Sequence, residues 1–227
     1  MGNWVVGFFG IIPESLYFYK KFGMNFHDFR KTFYPQKVFS VRDISKEWAD
    51  FNFINLVNWQ DKGYLLKLRN TWYAFPDALT SEADLFFVAN LLHKPSYVSL
   101  ETALRYYNWI PESVFSVTSV TTAKPAGWRT PVGYFSYRSI QPRLFFGYQP
   151  VKGNSVNFNI AEPEKTLLDL LYFRSNLTEA ADFEGLRLNR EEIKGRLSLD
   201  RLHNYLALIA SPALEARWGS LQKFLGI

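Results

Sequence analysis

The sequence predicts an α+β protein built in two parts, and three observations carry that expectation. At 227 residues the chain exceeds one typical domain and falls short of two large ones. Apolar residues make up 48% and aromatics 18%, enough for each part to bury a packed core. Helix-spaced and strand-like segments are mixed from Phe26 to about Tyr172 and give way to a mostly helical remainder, with no internal repeat and no linker rich in Gly or Ser. The expected division is an apolar N-terminal extension over 1–24, a small unit over 25–77 and a larger mixed α+β domain over 78–227.

The extension is dominated by Trp4 to Ile12, an apolar run that contains two glycines and is closed by Pro13. A bilayer span takes about 20 residues, so this run is too short to cross one. No Lys or Arg precedes it and no small-residue cleavage site follows, which argues against a secretory leader. Two readings stay open. The run is a short element packed on its neighbour, or it is an upstream addition to a chain whose natural start is Met24, because ordinary patterning begins at Asn25.

The small unit follows in order. Phe26, Phe29 and Phe33 recur at i, i+3 and i+7, the spacing of one helix face, and Tyr34-Pro35 stops the helix. Val38 to Val41 is a short extended run. Arg42 to Ala49 reads as a second helix with Ile44, Trp48 and Phe51 on its apolar side. Asp50 is placed to cap a third helix from Phe51 to about Lys62, which Gly63 ends in the left-handed conformation. Its expected apolar side is Phe53, Ile54, Leu56 and Val57, with Trp59 also facing the core. Tyr64–Leu68 and Trp72–Phe75 flank the polar break Arg69-Asn70-Thr71, a hairpin pattern.

Helix, strand, helix, helix, hairpin is the order of a winged helix-turn-helix, in which two helices hold a third at the angle that enters a DNA major groove. On the third helix Asn52, Asn55 and Asn58 lie three apart. Asparagine is a poor helix former, and its amide can bond adenine at N6 and N7, so this stripe is the candidate base-reading surface. Lys37, Arg42, Lys46, Lys62, Lys67 and Arg69 are the candidate phosphate contacts. Charge permits this without requiring it: residues 1–77 hold 10 Lys/Arg against 7 Asp/Glu, and residues 78–227 hold 16 against 14.

In the larger domain, helices are expected over 78–92, from Leu100 after a Ser99 cap, over Ala161–Tyr172, and through most of Leu177–Gly226. Strands are expected over Val114–Thr122, Tyr134–Ile140, Arg143–Tyr148 and Ser155–Ile160. The chain has no cysteine, which excludes thiolate metal sites and cysteine nucleophiles and fits a reducing cytoplasm. His27, His93 and His203 are not set at metal-ligand spacing. No phosphate-cradling glycine loop and no nucleophile elbow is present. The nearest approach to a catalytic cluster is Glu162, Glu164, Lys165 and Asp169, an arrangement also met in metal-dependent nucleases. Those sites, however, put the Glu-x-Lys on a strand, whereas here it opens a helix on which Lys165 and Asp169 can pair at i, i+4. The expectation is therefore no enzyme, no metal and no cofactor, with a nuclease as the competing reading.

Three blocks then resemble the AbiEi-type antitoxins of abortive-infection systems. They are Leu91–Leu104, with Pro95-Ser96-Tyr97-Val98-Ser99 at its centre, Thr130-Pro131-Val132-Gly133-Tyr134-Phe135-Ser136-Tyr137, and Ile160-Ala161-Glu162-Pro163-Glu164-Lys165 running on to Tyr172. The likeness covers most of residues 33–175 and keeps the blocks in order. It implies a DNA-binding antitoxin that represses its own operon and counteracts a co-encoded nucleotidyltransferase toxin without a stable complex. It also implies that a basic face of the larger domain joins in operator binding, which adds Arg129, Arg138 and Arg143 as candidates. The sequence departs from the family in its apolar extension and in an Asn-rich third helix where Arg or Lys is usual. A stand-alone regulator with no toxin partner is the alternative.

Overall fold

The spacing that predicts the first helix sets Phe29 and Phe33 one turn apart, and in the computed structural model both are fully buried. The structure describes residues 4–7, 10–13, 25–111, 116–153 and 156–227. The protein is mixed α+β and divides into two units, Met1–Leu79 and Thr80–Ile227.

In the first unit, β1 (Trp4–Gly7) and β2 (Gly10–Pro13) pair antiparallel as a separate two-stranded sheet. Met24 lies outside the described residues. Helix α1 (Phe26–Phe33) starts on Asn25, whose side chain accepts the Asp28 N–H at 2.9 Å. The helix passes into a 3-10 turn at Tyr34–Gln36 and then into β3 (Val38–Ser40). Ser40 and Asp43 form a reciprocal capping box that starts α2 (Val41–Glu47). Helix α3 (Ile54–Asp61) ends at Gly63, at φ +71°. Strands β4 (Leu66–Arg69) and β5 (Trp72–Ala74) turn around Asn70, itself left-handed at φ +47°. The sheet runs β3-β5-β4, all antiparallel.

Aromatic rings fill the space between helices and sheet: Phe29 meets Trp59 at 4.6 Å between centroids, and Phe33 meets Phe39 at 5.0 Å. Pairs of this kind add about 0.5–1.5 kcal/mol beyond area burial. The Arg30 guanidinium grips both oxygens of Asp77, at 3.1 and 2.6 Å, and so ties α1 to the end of the unit.

Two expectations for α3 are corrected. It begins at Ile54, not Phe51, and Asp50 does not cap it; the Asn52 side chain instead accepts the Ile54 N–H at 3.1 Å. The cause is Phe51, which turns into the aromatic core beside Phe29 and Trp48 and thereby leaves the helix path. The second correction concerns the apolar side. Only Leu56 and Trp59 face inward, while Phe53, Ile54 and Val57 are exposed. A two-turn helix touches this small core along a narrow strip, one i, i+3 pair wide.

The second unit begins with α4 (Glu82–Leu92), started by a Ser81–Asp84 capping box. It continues through β6 (Ser96–Val98), α5 (Leu100–Tyr106), β7 (Ser116–Thr121), β8 (Ala126–Thr130), β9 (Gly133–Ser139), β10 (Tyr148–Lys152) and β11 (Asn157–Ala161). Helices α6 (Pro163–Phe173), α7 (Ala180–Glu184), α8 (Arg190–Arg196), α9 (Leu199–Ile209) and α10 (Pro212–Leu225) complete it. The six strands lie in the order β10-β11-β6-β7-β9-β8, with β11–β6 and β7–β9 parallel and the other neighbours antiparallel. Helix α4 packs on one face, where Phe86 meets Phe158 at 5.2 Å and Tyr137 donates to the Ala89 carbonyl at 2.7 Å. Tyr97 reaches from the other face to α6.

The expected strand over Arg143–Tyr148 is also corrected. Pro142–Leu144 is a 3-10 turn, and the strand starts only at Tyr148. Gly147, at φ +68°, makes the turn between them; a Cβ there would stand 2.9 Å from the Tyr205 ring and 3.1 Å from Lys165 Cβ. Strand β6 was not expected: it has three residues and follows a proline. Ser99 stands at the start of α5 but makes no cap, because its hydroxyl is turned to Asp169. Val114 and Ser155, where two strands were expected to begin, lie outside the described residues.

Where β11 and β6 lie side by side, a single register pair, Ile160 with Val98, joins them. Beyond it the Asn90 side chain stands in for the missing ladder. Its Oδ1 accepts the Asn159 N–H at 2.6 Å and its Nδ2 donates to the Ser96 carbonyl at 3.4 Å. An open cavity of about 400 Å³ lies here, lined by Asn90, Ser96, Phe145, Tyr148 and Phe158 among others.

Candidate functional site

Two places gather the residues that the sequence singles out: the outward side of α3 with its neighbours, and the start of α6. On α3, residues one to four apart project around an arc of about 100° per residue. Leu56 and Trp59 take the buried side. The outward side is then Ile54, Val57, Asn58 and Asp61, with Lys62 just beyond the last turn, and all five are exposed. Asn55 falls at the border and is half-buried. Asn52 is exposed ahead of the helix, with its side-chain oxygen engaged by the Ile54 N–H. The three asparagines therefore do not form one equal stripe. Asn58 stands at its centre, Asn55 at its edge and Asn52 at its head.

Among the basic candidates of this unit, Arg42 and Lys46 are exposed on α2, Lys62 is exposed after α3, and Lys67 is exposed on β4. Arg69 is half-buried at the hairpin turn, next to left-handed Asn70. The first turn of α3, Ile54 to Val57, is free of acidic side chains, whereas Asp61 lies at the far end.

The sequence missed Ile54 and Val57 as surface residues. A signal was present: apolar residues at 53, 54, 56, 57 and 59 spread around too much of a short helix for one buried face to take them all.

The second place is a built network. Lys165 and Asp169 sit one turn apart on α6, each 1% exposed, and form an ion pair. Lys165 also donates to the Tyr97 hydroxyl at 2.9 Å. Asp169 accepts from the Tyr97 hydroxyl at 3.0 Å and from the Ser99 hydroxyl at 2.8 Å. Burial, and then the facing Asp169 carboxylate, push the Tyr97 hydroxyl far above its ordinary range, so it stays a donor. Glu164 accepts the Ser198 N–H at 2.8 Å at the head of α9 and lies 3.5 Å from the Arg201 guanidinium. Glu162 takes the Tyr205 hydroxyl, and burial with that carboxylate moves the hydroxyl up to about 12. The pairing of Lys165 with Asp169 matches the i, i+4 expectation. Each charge of the cluster has a structural partner, and the lysine lies inside the domain, turned away from solvent.

The three candidate arginines of the larger unit, Arg129, Arg138 and Arg143, fall in two settings. Arg129 and Tyr134 are register partners on β8 and β9, with the guanidinium 5.7 Å from the ring centroid. Arg138 lies on the same side of β9 as Tyr134, two pleats on, and both arginines are exposed. Arg143 is employed differently: it donates to the Ile209 carbonyl at 3.0 Å and to Gln141 at 3.1 Å, which ties its turn to the end of α9.

Of the histidines, His93 bonds the Lys124 carbonyl at 2.9 Å between the Trp128 and Tyr137 rings, and His27 and His203 are exposed. Among the described residues no three His, Cys, Asp or Glu converge in a way that would hold a metal ion. No described helix is long and apolar enough to cross a membrane. The chain matches no known family model, and no curated protein is similar enough to match it.

Proposed function

We propose that the first unit is a winged helix-turn-helix that binds double-stranded DNA, with α3 in the major groove and the β4–β5 hairpin as the wing. One observation carries the reading: α3 turns an exposed first turn free of acidic side chains, and Asn58, outward, on a unit whose elements from α1 onward run helix, strand, helix, helix, hairpin with the sheet order β3-β5-β4. Lys62 and Lys67 flank that surface from two different elements, as phosphate contacts that fix position without choosing sequence. On this reading Arg42, Lys46 and Arg69 extend the backbone contact, and Arg129 and Arg138 offer a second one on the larger unit.

The protein then works by binding and not by catalysis, in the cytoplasm where its operator lies. The buried Lys165–Asp169 pair favours this over a nuclease, because each charge is spent on the other. The resemblance to AbiEi-type antitoxins supplies the purpose: repression of its own operon, and opposition to a nucleotidyltransferase toxin without a lasting complex. A stand-alone regulator uses the same DNA surface and lacks only the toxin.

The test is a fluorescence-anisotropy titration of the protein on its own promoter region and on random duplex, across a range of salt. Specific binding is expected. Asn58→Ala should weaken the promoter complex more than the random one, and Lys67→Ala should weaken both equally while lowering the salt slope by about one unit. Salt-insensitive binding, or none, would rule the reading out.

A further inference from the structure

The outward side of α3 is more apolar than a surface that only follows phosphates requires. Ile54 is 64% exposed and Val57 is 55% exposed, and both stand on the outward side that Asn58 shares, Ile54 one turn before it. Both aliphatic side chains are β-branched and stiff at χ1, so they lose little freedom when a partner covers them. Ile54 and Asn58 are one turn apart, roughly 6 Å along the helix, close to two base-pair steps of duplex DNA.

A thymine presents a 5-methyl group in the major groove, and the adenine paired with it presents N7 and N6, the pattern an asparagine amide matches bidentately. A G·C pair offers O6, N7 and an amino group with no methyl. An aliphatic side chain pressed on those atoms leaves them desolvated without a partner. We infer that this face of α3 selects A·T base pairs, with Ile54 and Val57 seated on thymine methyl groups and Asn58 bonded to adenine.

The inference rests on the DNA-binding reading and adds the class of sequence that is read. A second copy of this chain could use the same apolar face, and the test below separates the two. The full chain is titrated against duplexes of about 20 base pairs made of alternating A-T, alternating A-U and alternating G-C. Uracil keeps the hydrogen-bond pattern and removes only the methyl. Each methyl contact is worth about fourfold in affinity, so with two of them the wild type should bind A-T about fifteenfold more tightly than A-U, and G-C most weakly. The Ile54→Ala/Val57→Ala double variant, altered only at exposed positions and checked by thermal melting, should bind A-T and A-U equally. Asn58→Ala should keep the preference for A-T over A-U.

Wild-type protein that binds A-T and A-U alike, with affinity that falls as salt rises, would overturn the inference and leave the DNA-binding reading standing. No salt-sensitive binding to any of the three would remove both. If the double variant abolishes self-association of the wild type, and no methyl preference is seen, the face belongs to a second copy and the inference is wrong.

Discussion

The Lys165 ammonium and the Asp169 carboxylate, one turn apart on α6, hold each other inside the second unit, and the hydroxyls of Tyr97 on β6 and of Ser99 just after it close the pair. A buried ion pair adds little net stability over apolar residues that fill the same volume, because both charges have left water. Removing one partner is another matter. Asp169→Ala should cost about 3–5 kcal/mol, since it strands the ammonium against Tyr97 and Phe146. Lys165→Met combined with Asp169→Leu should recover most of that loss. Urea unfolding of the two variants beside the wild type measures both, and equal losses in both would deny the pairing its role.

Asn90 supplies the contact between β11 and β6 that the backbone does not. Asn90→Ala should cost about 1–3 kcal/mol, because the Asn159 N–H and the Ser96 carbonyl each lose a partner. Hydrogen exchange locates the effect. The Asn159 amide should exchange faster in the variant, whereas the β7–β9 ladder amides should keep their protection. Unaltered exchange at Asn159 would contradict the bridging role.

The Arg30–Asp77 contact predicts a pH dependence. The Arg30 guanidinium, by direct hydrogen bonding, holds the Asp77 carboxyl below its ordinary value of 3.8. A folded value below the unfolded one means that the pair stabilises fully above 3.8 and that its contribution fades as the pH falls through the folded value. Asp77 is well exposed, so Asp77→Asn should cost at most about 1 kcal/mol near neutral pH. Thermal melts of wild type and variant should converge in acid. A gap that persists under acid would mean that the carboxylate charge is not what stabilises.

What was legible in the sequence was local. Phe26, Phe29 and Phe33 announce α1 by spacing alone, Gly63 marks the end of α3, and Arg69-Asn70-Thr71 marks a turn. The path over 48–53 was not legible, because it is decided by where Phe51 finds room among rings contributed by other elements. The start of α6 was half legible. The i, i+4 spacing gives the pairing of Lys165 with Asp169, but Tyr97 and Ser99 join it from about 70 residues upstream, through a strand too short to leave a pattern. On α3 the spacing sets three asparagines along one segment, but only burial divides them, leaving Asn58 exposed and Asn55 half-buried.

Strand β10 is the outer member of the six-stranded sheet on the β11 side, and it carries Pro150 between Gln149 and Val151, with exposed Lys152 at its end. An outer strand with a free row of amides is a template on which another chain can add. Proline removes one of those amides, and the lysine charge would have to be desolvated by any newcomer. The same short strand that completes the sheet therefore also terminates it, and keeps neighbouring molecules from continuing it into an aggregate.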